Sequence, residues 1–182
     1  MRATRVLSSL ILSASLVGAS IAHAADPLDT PAVTTLETGS VLADVAITAG
    51  STGAPAGFTV QWMKASDFDA LGGWPTDESA TALNVAIFLG VPTLNTIDGT
   101  VSYMLSPYET ATIQLGDLFD ETGVLTIRGA HELESGTDYI YRVRANASND
   151  PTAPFSPSDF SSDSHFSTRS EEHTSELQSH SD

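Results

Sequence analysis

Apolar residues in the middle of this 182-residue chain recur mostly at every second position, which is the spacing of a strand with one buried face. Phe58, Val60 and Trp62 share one such face, and Thr59 and Gln61 share the other. Similar runs are VLADVAITAG, TALNVAIFLG, VSYML and ATIQLG, with Gly-, Pro-, Asn- and Asp-bearing turns between them. We therefore predict an all-β fold of six or seven short strands in antiparallel sheets that each keep one wet face.

The amino terminus has the features of a secretory signal peptide. Arg2 and Arg5 precede the apolar run VLSSLILSASLVGASIA, which ends at the small-x-small sequence Ala22-His23-Ala24. A membrane anchor is the alternative, but serines interrupt the run, which barely reaches the roughly 18 to 20 apolar residues of a spanning helix. We expect cleavage after Ala24, a secreted or cell-surface location, and no membrane insertion after signal cleavage.

The carboxyl-terminal stretch RSEEHTSELQS, residues 169–179, resembles the in-frame translation of a short-read sequencing adaptor. An ordinary polar, disordered tail is the alternative. If the stretch is not native, we expect the natural protein to have continued beyond Thr168. The predicted organisation is a signal peptide (1–24), an extended lead-in (25–35), a β domain (36–168) and a non-native or disordered tail (169–182).

The charge balance argues against two classes of partner. The chain has 23 Asp and Glu residues and 7 Lys and Arg residues, so its formal net charge is −16 at pH 7. Because nucleic acids are bound through Lys and Arg contacts to phosphate, we expect no nucleic-acid partner. Anionic membrane surfaces are disfavoured for the same reason. The chain has no cysteine, so core burial without disulfides must stabilise the exported domain.

The stretch LESGTDYIYRVRA, residues 133–145, has a more specific pattern. Leu133 and a turn precede Tyr139, Tyr141 and Val143, which alternate along a strand. This spacing resembles the F strand of fibronectin type III domains, which are immunoglobulin-like β-sandwiches of about seven strands. In that family the first tyrosine forms a tyrosine corner, with a buried ring and a hydroxyl that bonds backbone a few residues upstream. The resemblance implies that role for Tyr139.

Two further segments resemble parts of the same family. FTVQW resembles its B strand, with the tryptophan in the core, and FSPSDFSSDSHFST, residues 155–168, resembles its closing G strand. The chain departs from the family pattern at Ser135, where proline is usual, and in a long insertion at residues 64–86 between the predicted B and C strands. The resemblance implies structural roles for Trp62, Leu133, Tyr139, Tyr141 and Val143.

The segment DFDALGGWPTDE, residues 67–78, is the strongest candidate for metal binding. Read as a twelve-residue calcium loop, it places Asp67, Asp69 and Glu78 at positions that supply oxygen ligands. Leu71 occupies another ligand position, however, and flanking helices are not evident, although SDFDALGG can form one helical turn. The alternative is a solvated acidic loop with its aromatic side chains turned inward. We prefer that alternative and predict no metal and no cofactor.

No arrangement of side chains in the sequence indicates an enzyme. Asp117, Asp120 and Glu121 form a carboxylate cluster of the kind that glycosidases use, but nothing in the sequence fixes their separation. His131 and His165 are too few for a zinc site. No Gly-x-Ser-x-Gly elbow and no glycine-rich phosphate loop is present. We therefore predict that the chain has no catalytic residues.

Aromatic residues in loops offer a binding role instead. Trp74, Tyr108 and Phe155 lie in loop-like segments, where they can anchor proteins or sugars; the alternative is that they fold inward as a minor core. We predict a secreted or cell-surface structural or interaction module, with protein or carbohydrate at the cell exterior as its partner. Two alternatives remain open: an accessory module of an extracellular hydrolase whose catalytic domain is missing, and a calcium-dependent adhesin module.

Overall fold

The computed structural model describes residues 26–90, 101–118, 124–128, 132–148 and 154–170. The predicted signal peptide, residues 1–24, and most of the predicted tail lie outside these ranges. The elements are β1 (Asp26–Pro27), β2 (Ala32–Thr38), β3 (Ala43–Thr48), β4 (Gly57–Lys64), α1 (Ala65–Leu71), β5 (Asn84–Leu89), β6 (Thr110–Leu115), β7 (Val124–Arg128), β8 (Asp138–Ala145), β9 (Phe155–Ser156) and β10 (Ser164–Ser167).

The strands form two antiparallel sheets, and the all-β prediction is confirmed. One sheet has five strands in the order β10-β8-β4-β5-β7, and the other has three in the order β2-β3-β6. The short strands β1 and β9 make a separate parallel pair. Val, Ile, Thr, Tyr and Phe recur through β3, β4 and β8, and these side chains favour the extended backbone because they pack well on a pleated surface.

A single hydrophobic cluster contains inward-facing residues of both sheets. The three-stranded sheet contributes Val45 and Ile47 from β3, and the five-stranded sheet contributes Phe58 from β4 and Val143 from β8, all fully buried. The alternation in the sequence therefore correctly predicts which residues of these strands face the core.

Strand β4, which contains FTVQW, does not lie where the resemblance placed it. We expected a B strand in the sheet opposite the predicted F strand, but β4 pairs directly with β8. Trp62 therefore faces Tyr141 within one sheet. The long insertion joins β4 to β5, which are also neighbours in that sheet. The sequence could not distinguish these arrangements, because period-two alternation marks a buried face without naming the strand's partner.

The outer face of the five-stranded sheet is not wet at β4, contrary to expectation. Thr59 and Gln61 are only 4% and 1% exposed. Their side-chain partners are Asn146 for Thr59, and Glu78 and Arg142 for Gln61. The insertion after β4 begins with the seven-residue helix α1, longer than the single turn predicted, and it brings Glu78 over this face.

Two predicted boundaries differ from the structure. Strand β2 begins at Ala32, inside the predicted lead-in, because the β-branched residues that follow pair with β3. VSYML forms no strand; its only ladder contact among the described residues is an isolated bridge between Leu105 and Ala54. Tyr103 and Leu105 are nevertheless buried, as their phase predicts.

Backbone hydrogen bonds continue past the predicted end of the domain. The backbone N–H of Arg169 donates to the carbonyl of Gly39 at 2.8 Å, and the carbonyl of Arg169 accepts from the N–H of Gly136 at 3.2 Å. Every residue except proline carries this donor and acceptor pair, so composition does not predict where such pairing stops. Residues 171–182 lie outside the described ranges.

Candidate functional site

Tyr139 closes the turn that precedes β8. Its side chain is 4% exposed, and its ring stacks on Phe166 with a centroid distance of 5.3 Å. The hydroxyl oxygen accepts a hydrogen bond at 2.9 Å from the backbone N–H of Glu134, five residues upstream. Leu133 is buried beside it, and its N–H donates to the carbonyl of Val41 at 2.9 Å. Hydrogen bonds therefore connect the turn to the side chain of Tyr139 on β8 and to Val41 in the connection between β2 and β3.

Ionisable groups around this turn affect one another. Burial raises the pKa of Tyr139 above its ordinary value, and the hydrogen bond from Glu134 opposes part of that rise because it favours the phenolate. Lys64 and Glu134 form an ion pair at the surface, and this hydrogen bond raises the pKa of Lys64. Their side chains are 35% and 65% exposed, so water screens the pair and it contributes little stability.

Trp62, Tyr141 and Val143, for which the resemblance implied structural roles, are all fully buried. The hydroxyl groups of Tyr141 and Thr35 share a hydrogen bond with an oxygen–oxygen distance of 3.0 Å. Because Thr35 lies on β2, this bond links the two sheets. The structure places the three residues in the interior, where packing is their direct contribution.

A cavity of about 270 Å³ opens beside the same turn, at the end of β4. Trp62 and Tyr139 contribute aromatic walls, and Lys64 is the one basic residue that lines it. The indole N–H of Trp62 has no hydrogen-bond partner, and it is the one buried side-chain polar group of the described residues in that state. The lining residues are Trp62, Lys64, Asp67, Thr81, Ala82, Asn84, Glu132, Leu133, Glu134 and Tyr139.

The outer face of the five-stranded sheet holds an arginine between two aromatic rings. The guanidinium carbon of Arg142 lies 4.3 Å from the ring centroid of Trp74 and 4.0 Å from that of Phe160. Its Nε and Nη2 donate to Oε1 of Gln61 at 2.9 and 2.8 Å. Cation–π contacts contribute about 0.5 to 1 kcal/mol at exposed sites and more when desolvated. We call these four residues the arginine clamp, because they fasten two loops onto the sheet.

Polar contacts surround the arginine clamp. The indole N–H of Trp74 donates to Oδ1 of Asp163 at 2.8 Å. Nε2 of Gln61 donates to Oε1 of Glu78 at 3.1 Å, and Arg144 pairs with the same oxygen at 3.4 Å. Both side-chain polar atoms of Gln61 therefore have hydrogen-bond partners, so the side chain is buried without an unsatisfied polar group.

Burial lowers the pKa of Arg142 from its ordinary value, and the charge of Asp163 opposes that change.

The arginine clamp was not predicted from the sequence. The available signal was the alternation of Arg142 and Arg144 along β8, which places both on one outer face. Only the register of β8 against β4 reveals that Gln61 lies opposite Arg142.

The calcium-loop candidates do not come together. Asp67 and Asp69 lie on helix α1, whereas Glu78 bonds with Gln61 and Arg144. In the described ranges no three His, Cys, Asp or Glu side chains form a group that could hold a metal ion. A calcium loop would need irregular backbone at the first positions of this segment, and the helix occupies them.

The other candidates from the sequence are separated or undescribed. Asp117 is exposed after β6, and His165 is exposed on β10. Asp120, Glu121 and His131 lie outside the described residues. The described members of the carboxylate cluster and the histidine pair therefore give no geometry for a reaction.

Of the three loop aromatics, two pack against other side chains. Trp74 lies under Arg142 and 5.5 Å from the ring of Phe68, and Phe155 is partly buried against the core. Tyr108 is instead 70% exposed. Its φ of +63° makes it the one described residue other than glycine with a positive φ. Trp74 and Phe155 therefore pack against the protein, as one alternative from the sequence proposed, whereas Tyr108 is exposed and available for binding.

Several hydrogen bonds hold the backbone of the Tyr108 turn. The N–H of Glu109 donates to the carbonyl of Ser106 at 3.0 Å, and Oε2 of Glu109 accepts from the N–H of Ser106 at 2.7 Å. The N–H of Tyr108 donates to the carbonyl of Gly50 at 3.4 Å. A left-handed residue other than glycine costs on the order of 1 to 3 kcal/mol and persists only where its surroundings enforce it. The turn therefore presents its exposed ring in one fixed backbone conformation.

Comparison with known proteins does not identify a family for this chain. No protein-family model matches the chain, and no curated protein has a matching sequence. Among the described residues, no helix has the length and apolar composition to cross a membrane.

Proposed function

We propose that this chain is a fibronectin type III-like β-sandwich that serves as a secreted or cell-surface structural and interaction module. The strand orders support the fold, since β2-β3-β6 and β10-β8-β4 correspond to the A-B-E and G-F-C orders of immunoglobulin-like domains. On this assignment Trp62 lies on strand C, where immunoglobulin domains carry a buried tryptophan. Tyr139 then forms the tyrosine corner, and Tyr141 takes the place of the disulfide cysteine on strand F.

The interaction role rests on Tyr108. An exposed aromatic side chain on a braced turn is typical of the residues that dominate binding energy at interfaces. Because the backbone is already fixed, little conformational entropy is lost when a partner binds. Three of the six exposed large hydrophobic residues in the described ranges, Val101, Met104 and Tyr108, lie in this one short stretch. That concentration favours the turn over other surfaces as the contact region.

The charge of the chain restricts the partner. With a formal net charge of −16, two copies repel each other at low ionic strength. A neutral or basic surface on an extracellular protein or carbohydrate is therefore favoured over a second copy. The alternative of a calcium-dependent adhesin gains no support, because no three His, Cys, Asp or Glu side chains of the described residues form a group that could hold a metal ion.

The test uses the purified, fluorescently labelled chain and washed cells of the producing organism. Depletion of label from solution measures retention at the cell surface. Tyr108→Asn removes the ring and relieves the backbone, because asparagine tolerates the left-handed region. We expect Tyr108→Asn to lose retention while its free energy of unfolding rises by about 1 kcal/mol.

Leu71→Asn is the matched control for that experiment. Leu71 is also a large exposed hydrophobic residue, but it lies on α1, at the other end of β4 from the Tyr108 turn. Retention by the Leu71→Asn variant should equal that of the wild type. If wild type and Tyr108→Asn are retained equally, or if the wild type is not retained, the interaction role of this turn is wrong.

A further inference from the structure

We propose that the free edge of strand β6 binds an extended segment of a partner protein, which adds to the three-stranded sheet as a further strand. Four strands lie at the edges of the two larger sheets, namely β10, β7, β2 and β6. An edge strand has one row of backbone N–H and C=O groups without a neighbouring strand, and an extended peptide can pair with that row. The proposal concerns the backbone of β6 and does not rest on the role of Tyr108.

The pairing of β6 with β3 determines which of its backbone groups point outward. The N–H of Ala49 donates to the carbonyl of Glu109 at 2.9 Å, and these two residues lie one step beyond the end of the ladder. Hydrogen-bonded and non-hydrogen-bonded pairs alternate along antiparallel strands, so the odd-numbered residues of β6 bond to β3. The even-numbered residues therefore direct their N–H and C=O groups away from β3, and they are Thr110, Thr112 and Gln114.

These outward backbone groups have no backbone partner among the described residues. Side chains of β6 do not cross the free edge in their hydrogen bonds. Nε2 of Gln114 donates to Oδ1 of Asp44 at 2.8 Å, and the hydroxyl groups of Thr110 and Thr48 share a hydrogen bond of 2.8 Å. Because Asp44 and Thr48 both lie on β3, these contacts leave the opposite side of β6 open to a partner.

The other three edges have features that hinder the addition of a strand. Strand β10 has only four residues, and the pairings of β2 and β7 with their neighbours each contain a register shift. Short strands, bulges, charged residues and proline all protect sheet edges from further pairing. The six residues of β6, TATIQL, include no charge and no proline, and they pair with β3 without a shift. Strand β6 is therefore the edge best suited to accept another strand.

Acidic residues at both ends of β6 determine the charge of the partner. Glu109 directly precedes the strand, Asp117 follows it by two residues, and both are exposed. A segment with an uncharged centre and Lys or Arg at each end brings opposite charges to both carboxylates, whichever way it runs. A second copy would bring acidic residues to acidic residues, and each chain has a formal net charge of −16. A segment of another protein with basic ends is therefore favoured.

The test titrates the purified chain into a fluorescently labelled peptide, KKTVTVTKK, at physiological ionic strength, and measures fluorescence anisotropy. We expect a saturable rise in anisotropy at chain concentrations up to about 1 mM, the range of weak peptide binding. The peptide EETVTVTEE has the same centre and should bind at least about fivefold more weakly. KKTVTVTKK with N-methyl groups on its five central residues cannot donate to the edge carbonyls, and it should not bind.

Variants of the chain locate the peptide on β6. Thr112→Pro removes one outward N–H, which edge strands tolerate, and it should weaken binding at least about tenfold. Thr112→Ser keeps that N–H and is the matched control, with unchanged affinity. Glu109→Gln keeps an acceptor for the N–H of Ser106. Combined with Asp117→Asn, it should reduce the preference for KKTVTVTKK over EETVTVTEE at least about threefold.

Hydrogen exchange of the wild-type chain gives a measurement that needs no substitution. With saturating KKTVTVTKK, the amides of Thr110, Thr112 and Gln114 should exchange at least about tenfold more slowly, because they become hydrogen-bonded. Amides of β2 and β10, at other sheet edges, are the internal control and should exchange as they do without the peptide.

Four results would overturn the proposal. The first is the absence of saturable binding by KKTVTVTKK. The second is equal affinity in the Thr112→Pro and Thr112→Ser variants. The third is slower exchange in β2 or β10 instead of β6. The fourth is a wild-type dimer in analytical ultracentrifugation that Thr112→Pro abolishes, which would make a second copy the occupant of the edge. None of these measurements uses cells, so retention at the cell surface through Tyr108 can succeed or fail separately.

Discussion

Glu134 and Tyr139 are joined across the turn before β8 by one hydrogen bond, in which the backbone N–H of Glu134 donates to the phenolic oxygen at 2.9 Å. Tyr139→Phe removes the acceptor and should lower the free energy of unfolding by about 1 kcal/mol, as measured by urea denaturation. Water replaces part of the loss because Glu134 is exposed. Tyr108→Phe is the matched control, since its ring is exposed, and should change stability by less than about 0.5 kcal/mol. An unchanged free energy of unfolding in Tyr139→Phe would contradict the corner assignment.

The raised pKa of Tyr139 predicts a loss of stability at alkaline pH. The folded state holds the phenolic proton more tightly than the unfolded chain does, so the stabilisation is complete below the ordinary pKa of 10.0. It is lost as the pH rises through the higher pKa of the folded state. Above the ordinary pKa of 10.0, the urea midpoint should therefore fall more steeply in the wild type than in Tyr139→Phe. Parallel curves would show that this phenol does not titrate differently in the two states.

The arginine clamp predicts that Arg142 cannot be replaced by lysine. Arg142→Lys keeps the charge but loses the planar stacking between two rings and the two bonds to Gln61. We expect a loss of about 1 to 2 kcal/mol in unfolding free energy, together with a weaker near-ultraviolet circular dichroism signal from Trp74. Arg144→Lys is the control, because Arg144 contacts one ring at 4.8 Å. Equal losses in the two variants would show that the double stack adds nothing.

Two glycines with similar backbone separate conformational strain from steric conflict. Gly57 and Gly72 have φ values of +78° and +73°. A Cβ at position 57 would lie 2.0 Å from the carbonyl oxygen of Phe88, whereas nothing lies within 4 Å of one at position 72. Gly72→Ala should therefore cost about 1 kcal/mol, and Gly57→Ala at least about 3 kcal/mol, by urea denaturation. Similar losses would contradict the close approach of β4 to β5.

Local pattern predicted most of the strands and the inward faces of β3, β4 and β8, but it wrongly made VSYML a strand and could not predict how the strands pair. Phe58, Val60 and Trp62 face the core as their alternation requires, because that alternation is a property of the strand itself. The partner of β4 depends on contacts with a strand far along the chain. The burial of Gln61 depends on an insertion that folds back over the sheet, and no period in the local sequence records that.

The same distinction, between what local sequence determines and what distant contacts determine, applies to the candidate sites. The upstream partner of Tyr139 is five residues away, so a short motif predicts it. The cavity and the arginine clamp join residues from separate elements, and only the register shows them. Tyr108 was noticed as a loop aromatic, but its left-handed backbone is set by Gly50 and Glu109, and no composition rule indicates that.

The pairing of β4 with β8 also determines when the larger sheet can form. Gln61 and Arg142 face each other across these strands, yet they are 81 positions apart in the chain. During synthesis β4 leaves the ribosome long before its neighbour exists. Domains dominated by such distant pairings fold in milliseconds to seconds, and an unpaired apolar strand is prone to aggregation in that interval. The yield of folded protein will therefore depend on what shields β4 until translation reaches β8.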